Sequence, residues 1–351
     1  METTIRKVLP LLLRPFESLS QAEKTTIMDA YKALGRDGFE ADLRKEKQTR
    51  CYASLVLSQL QEDTDYWQEV HQKYIQRNIS ILRMVERCCQ DFYNAGGKTL
   101  SVYENYGAVL SSGISIGCFA SGDVDFTVSE DEIQLAKKVF YENGFLLHER
   151  NDHASVSEKL VLPFFNRHAL DGKGYWFNIM RKPVARNFML NQAKTLNRLH
   201  ELQEGKLEKY GNTEIRLLPP TAMIYFNALH FASEHYFSAS PGMALCCDID
   251  RIVRYRTIDW ADLKKWSYED QCGLRIQLAL DICQYFLKTP IPKNIFHSKS
   301  KQYSKLWNRL VDEHNGFLKP QVDKISRLVT ELLSDDLPIF KSLTKRVFTQ
   351  N

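Results

Sequence analysis

Hydrophobic positions divide the chain into three stretches with different periods. From residue 1 to about residue 95, apolar side chains recur every three or four positions, as in TTIMDAYKAL and CYASLVLSQL. That is the spacing of amphipathic helices. Residues 66–94 read as one long helix with Val70, Tyr74, Ile81, Val85 and Cys88 near one face, and Ala95-Gly96-Gly97 ends it. The period then becomes two. KTLSVY reads as a strand, and residues 123–128 (DVDFTV) alternate strictly. Between them lies the Gly- and Ser-rich segment YGAVLSSGISIGCFASG. A helix is predicted over 131–143, capped by Gly144, followed by the strand FLLHE. KLVLPFF and YWFNIM then flank DGKG, whose Asp-Gly is a hairpin signal. From residue 185 the helical period returns, interrupted once by the polar run EGKLEKYGNTEIRLLPP. Pro219 and Pro220 introduce a helix through AMIYFNALHFASEHYF, and Pro241 opens another through MALCCDIDRIVRY. The pattern predicts an α+β fold in three parts. These are a helical N-terminal region at 1–95, a small α/β core with a mixed sheet at 96–184, and a C-terminal helical domain at 185–351.

Composition narrows the class. With 44% hydrophobic and 26% charged residues the chain can bury a proper core, which excludes a disordered protein. Forty-seven basic and 43 acidic residues leave a formal charge of +4 with no long block of one sign. That balance gives no support to a nucleic-acid partner, while an acidic small ligand such as a nucleotide fits it. The eight cysteines form no C-x-x-C pair, and four of them are two adjacent doublets, so buried thiols in a reducing compartment are expected. VLPLLLRPF is far shorter than the roughly 20 apolar residues of a membrane span, and no other stretch comes close. No membrane partner is expected, and the cytoplasm is the predicted location.

The candidate chemistry lies in DVDFTV. Side chains two apart on a strand share a face, so Asp123, Asp125 and Thr127 point one way and Val124, Phe126 and Val128 the other. Two adjacent carboxylates repel unless a cation sits between them. Such a pair suits Mg²⁺, which commonly takes one or two carboxylates plus substrate phosphates. Just upstream, Ser121 and Gly122 can form a tight turn. Gly107 and Gly113 would let backbone N–H groups, together with that of Ser112, approach a phosphate. Taken alone, a D-x-D strand is a weak signal that more often marks a solvated strand face.

The order of elements adds to this: strand, Gly/Ser segment, D-x-D strand, helix, Gly, strand. Gly107-Ala108, Asp123-Val124-Asp125 and Gly144-Phe145 resemble a poorly characterised bacterial nucleotidyltransferase family. Its members carry a Lys-Gly-Ala-like loop, a D-[IV]-D strand and a Gly-Phe/Tyr strand. NALHFASEHYF, LCCDIDRIVR, IDWADLKKW, GLRIQLALDICQYFL and TPIP look like its C-terminal segments, so the resemblance runs over roughly residues 70 to 293. It implies a nucleotidyltransferase-fold core and nucleotidyl or phosphoryl transfer from a nucleotide triphosphate, with Mg²⁺ held by Asp123 and Asp125. The acceptor it leaves open: a small molecule, a saccharide or a peptide. The sequence departs from the pattern in three places. Tyr106 stands where the loop lysine is expected, and Phe119 replaces an arginine upstream of the D-x-D. Asn178 stands where a later strand carries a third carboxylate; its amide can offer an oxygen to a cation but cannot act as a base.

Other residues carry weaker signals. His230 and His235 lie five apart on one predicted helix and so do not share a face. Asp248, among Leu245, Cys246 and Ile249, needs a partner such as Arg251, Arg254 or His230. Lys159, Arg167 and Arg181 are candidate phosphate contacts, and Tyr175, Trp176 and Phe177 read as sheet core. Two functions follow. One is a metal-dependent nucleotidyltransferase using Asp123, Asp125 and Asn178; the other is a degenerate member that binds a nucleotide or a partner protein without chemistry.

Overall fold

The computed structural model describes residues 4–45, 49–60, 62–148, 161–166, 174–180, 192–205, 207–293, 295–296, 301–312, 317–318 and 330. Lys159, Arg167, Arg181 and residues 171–173 of the DGKG segment lie outside the described residues. The N-terminal region is helical as the period predicts: α1 (Thr4–Leu12), α2 (Gln21–Leu43), α3 (Arg50–Leu57) and α4 (Thr64–Asn94). A capping box starts α2, with Ser20 Oγ accepting from the Glu23 N–H while Glu23 Oε2 accepts from the Ser20 N–H. The 31-residue α4 buries Val70, Ile81, Val85 and Cys88 on the expected stripe. It ends where the glycines put it. Gly96 has φ +91°, and a Cβ on Gly97 would lie 2.2 Å from the Phe92 ring.

The sheet is built next. β1 (Ser101–Tyr103) leads into α5 (Glu104–Ser112), followed by β2 (Asp123–Thr127), α6 (Ile133–Glu142), β3 (Leu146–Leu147), β4 (Val161–Asn166) and β5 (Tyr175–Met180). After α7 (Gln192–Gly205), the polar run beyond residue 204 supplies two short strands, β6 (Glu208–Lys209) and β7 (Arg216–Leu217). The seven strands lie in the order β3-β4-β5-β2-β1-β7-β6. β2 pairs antiparallel with β1 and parallel with β5, so the sheet is mixed. The remaining described elements are helical apart from one antiparallel pair of strands: α8 (Pro220–Ser233), α9 (Ala239–Tyr255), α10 (Trp260–Glu269), α11 (Gly273–Leu287), α12 (Lys301–Leu310), β8 (Val311–Asp312) and β9 (Phe317–Leu318). The fold is α+β. The chain begins α8 at Pro220, where a missing N–H costs nothing. No helix among the described residues is long and apolar enough to cross a membrane.

Alternation on β2 and β5 gives the sheet one apolar and one polar face. Phe126 and Phe177 meet at 5.0 Å and close on Phe140 of α6 at 5.3 and 5.7 Å. The opposite face carries Asp123, Asp125, Thr127 and Asn178. There Gln203 of α7 donates to Thr127 Oγ1 at 3.0 Å, which buries that end of the face under helices. All eight cysteines are buried and none is in a disulfide, as the spacing predicts.

One expectation changes. Gly107-Ala108, which the resemblance places in a loop, lies in the helix α5, which takes up the first part of the Gly- and Ser-rich segment. Tyr106, Ala108, Val109 and Leu110 are buried apolar positions whose burial overrides the weak helix propensity of Gly107. Gly107 is there for contact: a Cβ would sit 3.0 Å from the Val102 carbonyl oxygen.

Candidate active site

The two carboxylates come together as strand geometry requires, and Asn178 joins them. Parallel pairing sets Asp125 opposite Asn178 and Asp123 opposite Trp176. The Asn178 Nδ2 donates to Asp125 Oδ1 at 2.9 Å and to Asp123 Oδ2 at 3.3 Å. One amide thus bridges the pair. Ser121 Oγ donates to Asp123 Oδ1, and the Gly122 carbonyl accepts from the Trp176 N–H at 3.1 Å. Asp123 is half-buried, whereas Asp125 is only 9% exposed.

A further carboxylate, which the sequence did not single out, faces the same place. Antiparallel pairing puts Tyr103 opposite Asp125, and the next residue is Glu104. Glu104 is buried and holds φ +52°, a left-handed conformation that a non-glycine residue rarely adopts. Its Oε1 lies 2.9 Å from His230 Nδ1 on α8, and His230 Nε2 lies 2.8 Å from His235 Nε2. The histidines meet although they are five apart, because α8 ends at Ser233. Tyr236 and Phe237, with φ +50° and +59°, then turn the chain back. Among the described residues, three of the six non-glycine positions with positive φ, Glu104, Tyr236 and Phe237, therefore lie in or beside this Glu–His–His array. Such strain persists only where the surroundings enforce it, and it clusters at functional sites.

The electrostatics follow from burial. The Asp125 carboxyl is pushed well above the usual carboxylate range, first by desolvation and then by the negative charges of Glu104 and Asp123. The Asn178 hydrogen bond opposes this. His230 is raised to about 9: burial disfavours its charge, but Glu104, Glu234 and Asp125 outweigh burial. His235, desolvated and beside that cation, is lowered to about 3, so the proton of the pair belongs to His230.

The structure sorts the predicted ligand-binding positions. Ser121 and Gly122 adjoin Asp123, and Gly122 borders open space, with nothing within 4 Å of where a Cβ would stand. Ser112 and Gly113 lie at the far, carbonyl end of α5, a distance of about 12 Å along a nine-residue helix. Ser112 Oγ donates to the Val109 carbonyl at 3.1 Å, and Gly113 is the left-handed cap with φ +69°. A helix C-terminus repels anions, so these two positions and the mid-helix Gly107 do not form a phosphate loop at the carboxylates. The amino end of α5, at Glu104, abuts them instead. Tyr106 and Phe119, where the sequence departs from the resembled pattern, pack on each other at 4.7 Å. Their positions are core, not cleft.

Asp248 finds a partner other than those expected. The Tyr52 hydroxyl of α3 donates to Asp248 Oδ1, while Arg251 and Arg254 pair with Asp250. Burial pushes the Asp248 carboxyl up to about 8, against the pull of Tyr52 and Arg251. A carboxyl raised in the folded state contributes stability below its unfolded value near 3.9, and that contribution is lost as pH rises through about 8. Asp248→Asn keeps the acceptor for Tyr52 and removes this titration. At pH 8 the variant is expected to melt above the wild type, by the equivalent of about 1 kcal/mol or more, with the gap closing toward pH 4. A lower melting temperature for the variant at pH 8 refutes a protonated Asp248.

Whether the site suits a divalent cation is a question of its donor set. Asp123 and Asp125 share a face at hydrogen-bonding distance from one amide, and desolvation plus the charges of Glu104 and Asp123 raise Asp125 against the opposing Asn178 amide and His230. No group of three or more His, Cys, Asp or Glu side chains among the described residues could hold a metal by itself. Two carboxylates sharing one face are the kind of donor set that Mg²⁺ takes together with substrate oxygens.

A sequence model of a family described as uncharacterised nucleotidyltransferase matches residues 48–288. No curated protein and no solved structure matches the chain.

Proposed function

The chain belongs to this uncharacterised nucleotidyltransferase family, and from that premise we propose that it transfers a nucleotidyl group from an NTP to an acceptor nucleophile with Mg²⁺ held at Asp123 and Asp125. The observation that carries the proposal is the convergence of Asp123, Asp125 and Asn178 on one sheet face, with the buried Glu104 beside them. Bound there, Mg²⁺ would neutralise charge developing on the phosphate oxygens as the leaving group departs. Asp125 and Asp123 are positioned to ligate it, and Ser121 orients the Asp123 carboxylate. A half-turn of the Asn178 amide would present its oxygen in place of its nitrogen.

In this reading the acceptor oxygen bonds to the α-phosphorus, the bond to the departing pyrophosphate breaks, and the acceptor proton needs a base. Asn178 cannot serve. Glu104 is the carboxylate that stands in for the one missing at 178, held by His230 and reaching the half-buried His235. Incubation with each NTP and Mg²⁺, followed by mass spectrometry of candidate acceptors and of the protein, tests the proposal. A mass increment of one NMP supports it, and an increment of one phosphate redirects it to a kinase.

Asn178→Asp separates a cation site from a merely hydrogen-bonded one. Without metal the variant sets a third negative charge against Asp123 and Asp125 and removes their shared donor, and it should lose about 1–3 kcal/mol. Adding Mg²⁺ should restore most of that loss by mass action. Thermal melts in EDTA and in Mg²⁺ measure it; a loss that Mg²⁺ leaves untouched means no cation binds between these side chains.

A further inference from the structure

A cavity of about 660 Å³ opens between the N-terminal helices and the outer face of α4. Its lining includes Arg44, Arg50, Lys73 and Arg77, with Tyr66 and Tyr74. The charges do not balance among the described residues. Arg44 and Arg50 both pair with one carboxylate, Glu40, and Lys73 pairs with Glu69 at 2.7 Å. Arg77 donates to a backbone carbonyl, that of Ser121, at 2.6 Å. Four cations thus face two carboxylates. Arg50 Nη1 donates to the Tyr74 hydroxyl at 3.1 Å, while its buried Nε has no hydrogen-bond partner.

One lining residue, Arg77, links the cavity to the site. Arg77 holds the Ser121 carbonyl, and the Ser121 hydroxyl holds Asp123. A group lying against Arg77 is therefore close to the edge of the carboxylate pair. Planar guanidinium forks match phosphate oxygens in pairs. The volume falls in the range of about 300–1,000 Å³ typical of small-molecule pockets and exceeds what a lone phosphate needs.

We infer that this cavity binds the phosphate or pyrophosphate group of a small-molecule substrate and orients that molecule toward Asp123. The placement of a substrate there rests on the nucleotidyl-transfer reading; the anion site itself does not. Two sources share the chemistry, the phosphate tail of the nucleotide and a phosphate carried by the acceptor.

The test is calorimetric titration of inorganic tripolyphosphate into the full chain in EDTA. Arg44→Glu/Lys73→Glu reverses two side chains that are 67% and 69% exposed and lie outside the carboxylate site. That variant is expected to bind at least about tenfold more weakly, and its melting curve checks its fold. The neutral pair Arg44→Gln/Lys73→Gln should fall between it and wild type. Asp123→Asn/Asp125→Asn should bind within about twofold of wild type. Saturating NTP with Mg²⁺ then separates the sources: displacement of the probe assigns the phosphate to the nucleotide, and simultaneous binding assigns it to the acceptor. Absence of binding to wild type overturns the inference, as does binding that is lost in the aspartate variant and kept in the charge-reversed one. Binding that behaves as expected in a protein without turnover would remove the nucleotidyl-transfer reading and leave the anion site standing.

Discussion

Glu104→Gln is expected to slow nucleotidyl transfer by about 10²–10⁴-fold, the range general-base help supplies, while NTP and Mg²⁺ still raise the melting temperature. The expectation rests on place and chemistry together. Glu104 follows the β1 residue paired with Asp125, is buried in a left-handed conformation, and lies 2.9 Å from His230. Glutamine keeps the size and a carbonyl acceptor for His230 but cannot take a proton. Were Glu104 only a structural anchor, both nucleotide binding and stability would suffer while the rate per bound nucleotide stayed the same. The split between binding and turnover therefore distinguishes the roles. Glu104→Asp, which keeps the carboxylate on a shorter arm, should recover part of the rate.

Asp125→Asn carries the second large effect, and it has two opposite signs. Activity should fall by about 10²–10³-fold or more, the scale of losing one preorganised electrostatic contact in a site. Stability without metal should rise. Asp125 is raised by desolvation and by Glu104 and Asp123, so replacing it removes a buried like-charge interaction. Asparagine still offers an oxygen to the Asn178 amide. A gain in EDTA that grows as pH rises above the usual carboxylate range is expected, together with loss of the stabilisation by NTP and Mg²⁺. Melting curves with and without ligand read both. A functional residue that costs stability is a common trade in enzymes; a variant less stable than wild type in EDTA would show that Asp125 is held for structure.

Much of this was legible in the sequence because strands have a period of two. DVDFTV told which side chains share a face, and YWFNIM read as a strand; that the two strands pair, so that Asn178 bridges both aspartates, is a tertiary fact. The long α4 stripe and the glycine stop after it were legible for the same kind of reason. What escaped was set by tertiary contact. Gly107 looked like a loop residue, yet it marks the close approach of α5 to β1. Glu104 carries no local signature, because its role comes from strand pairing between residues 22 positions apart, Tyr103 and Asp125. His230 and His235 appeared to diverge on a helix that in fact stops at Ser233. The two short strands after α7 lie in a run too polar and too brief to show a period, and they form because the edge of β1 is there to receive β7.

The most direct measurement of the central claim is transfer of label from [α-³²P]NTP, with each of the four nucleotides and Mg²⁺. A fractionated metabolite extract serves as the acceptor source, and wild type is compared with Asp123→Asn/Asp125→Asn. The account predicts a labelled product and released pyrophosphate with wild type, both dependent on Mg²⁺ and both lost in the double variant. Equal labelling by the double variant, or release of orthophosphate in place of pyrophosphate, would contradict it.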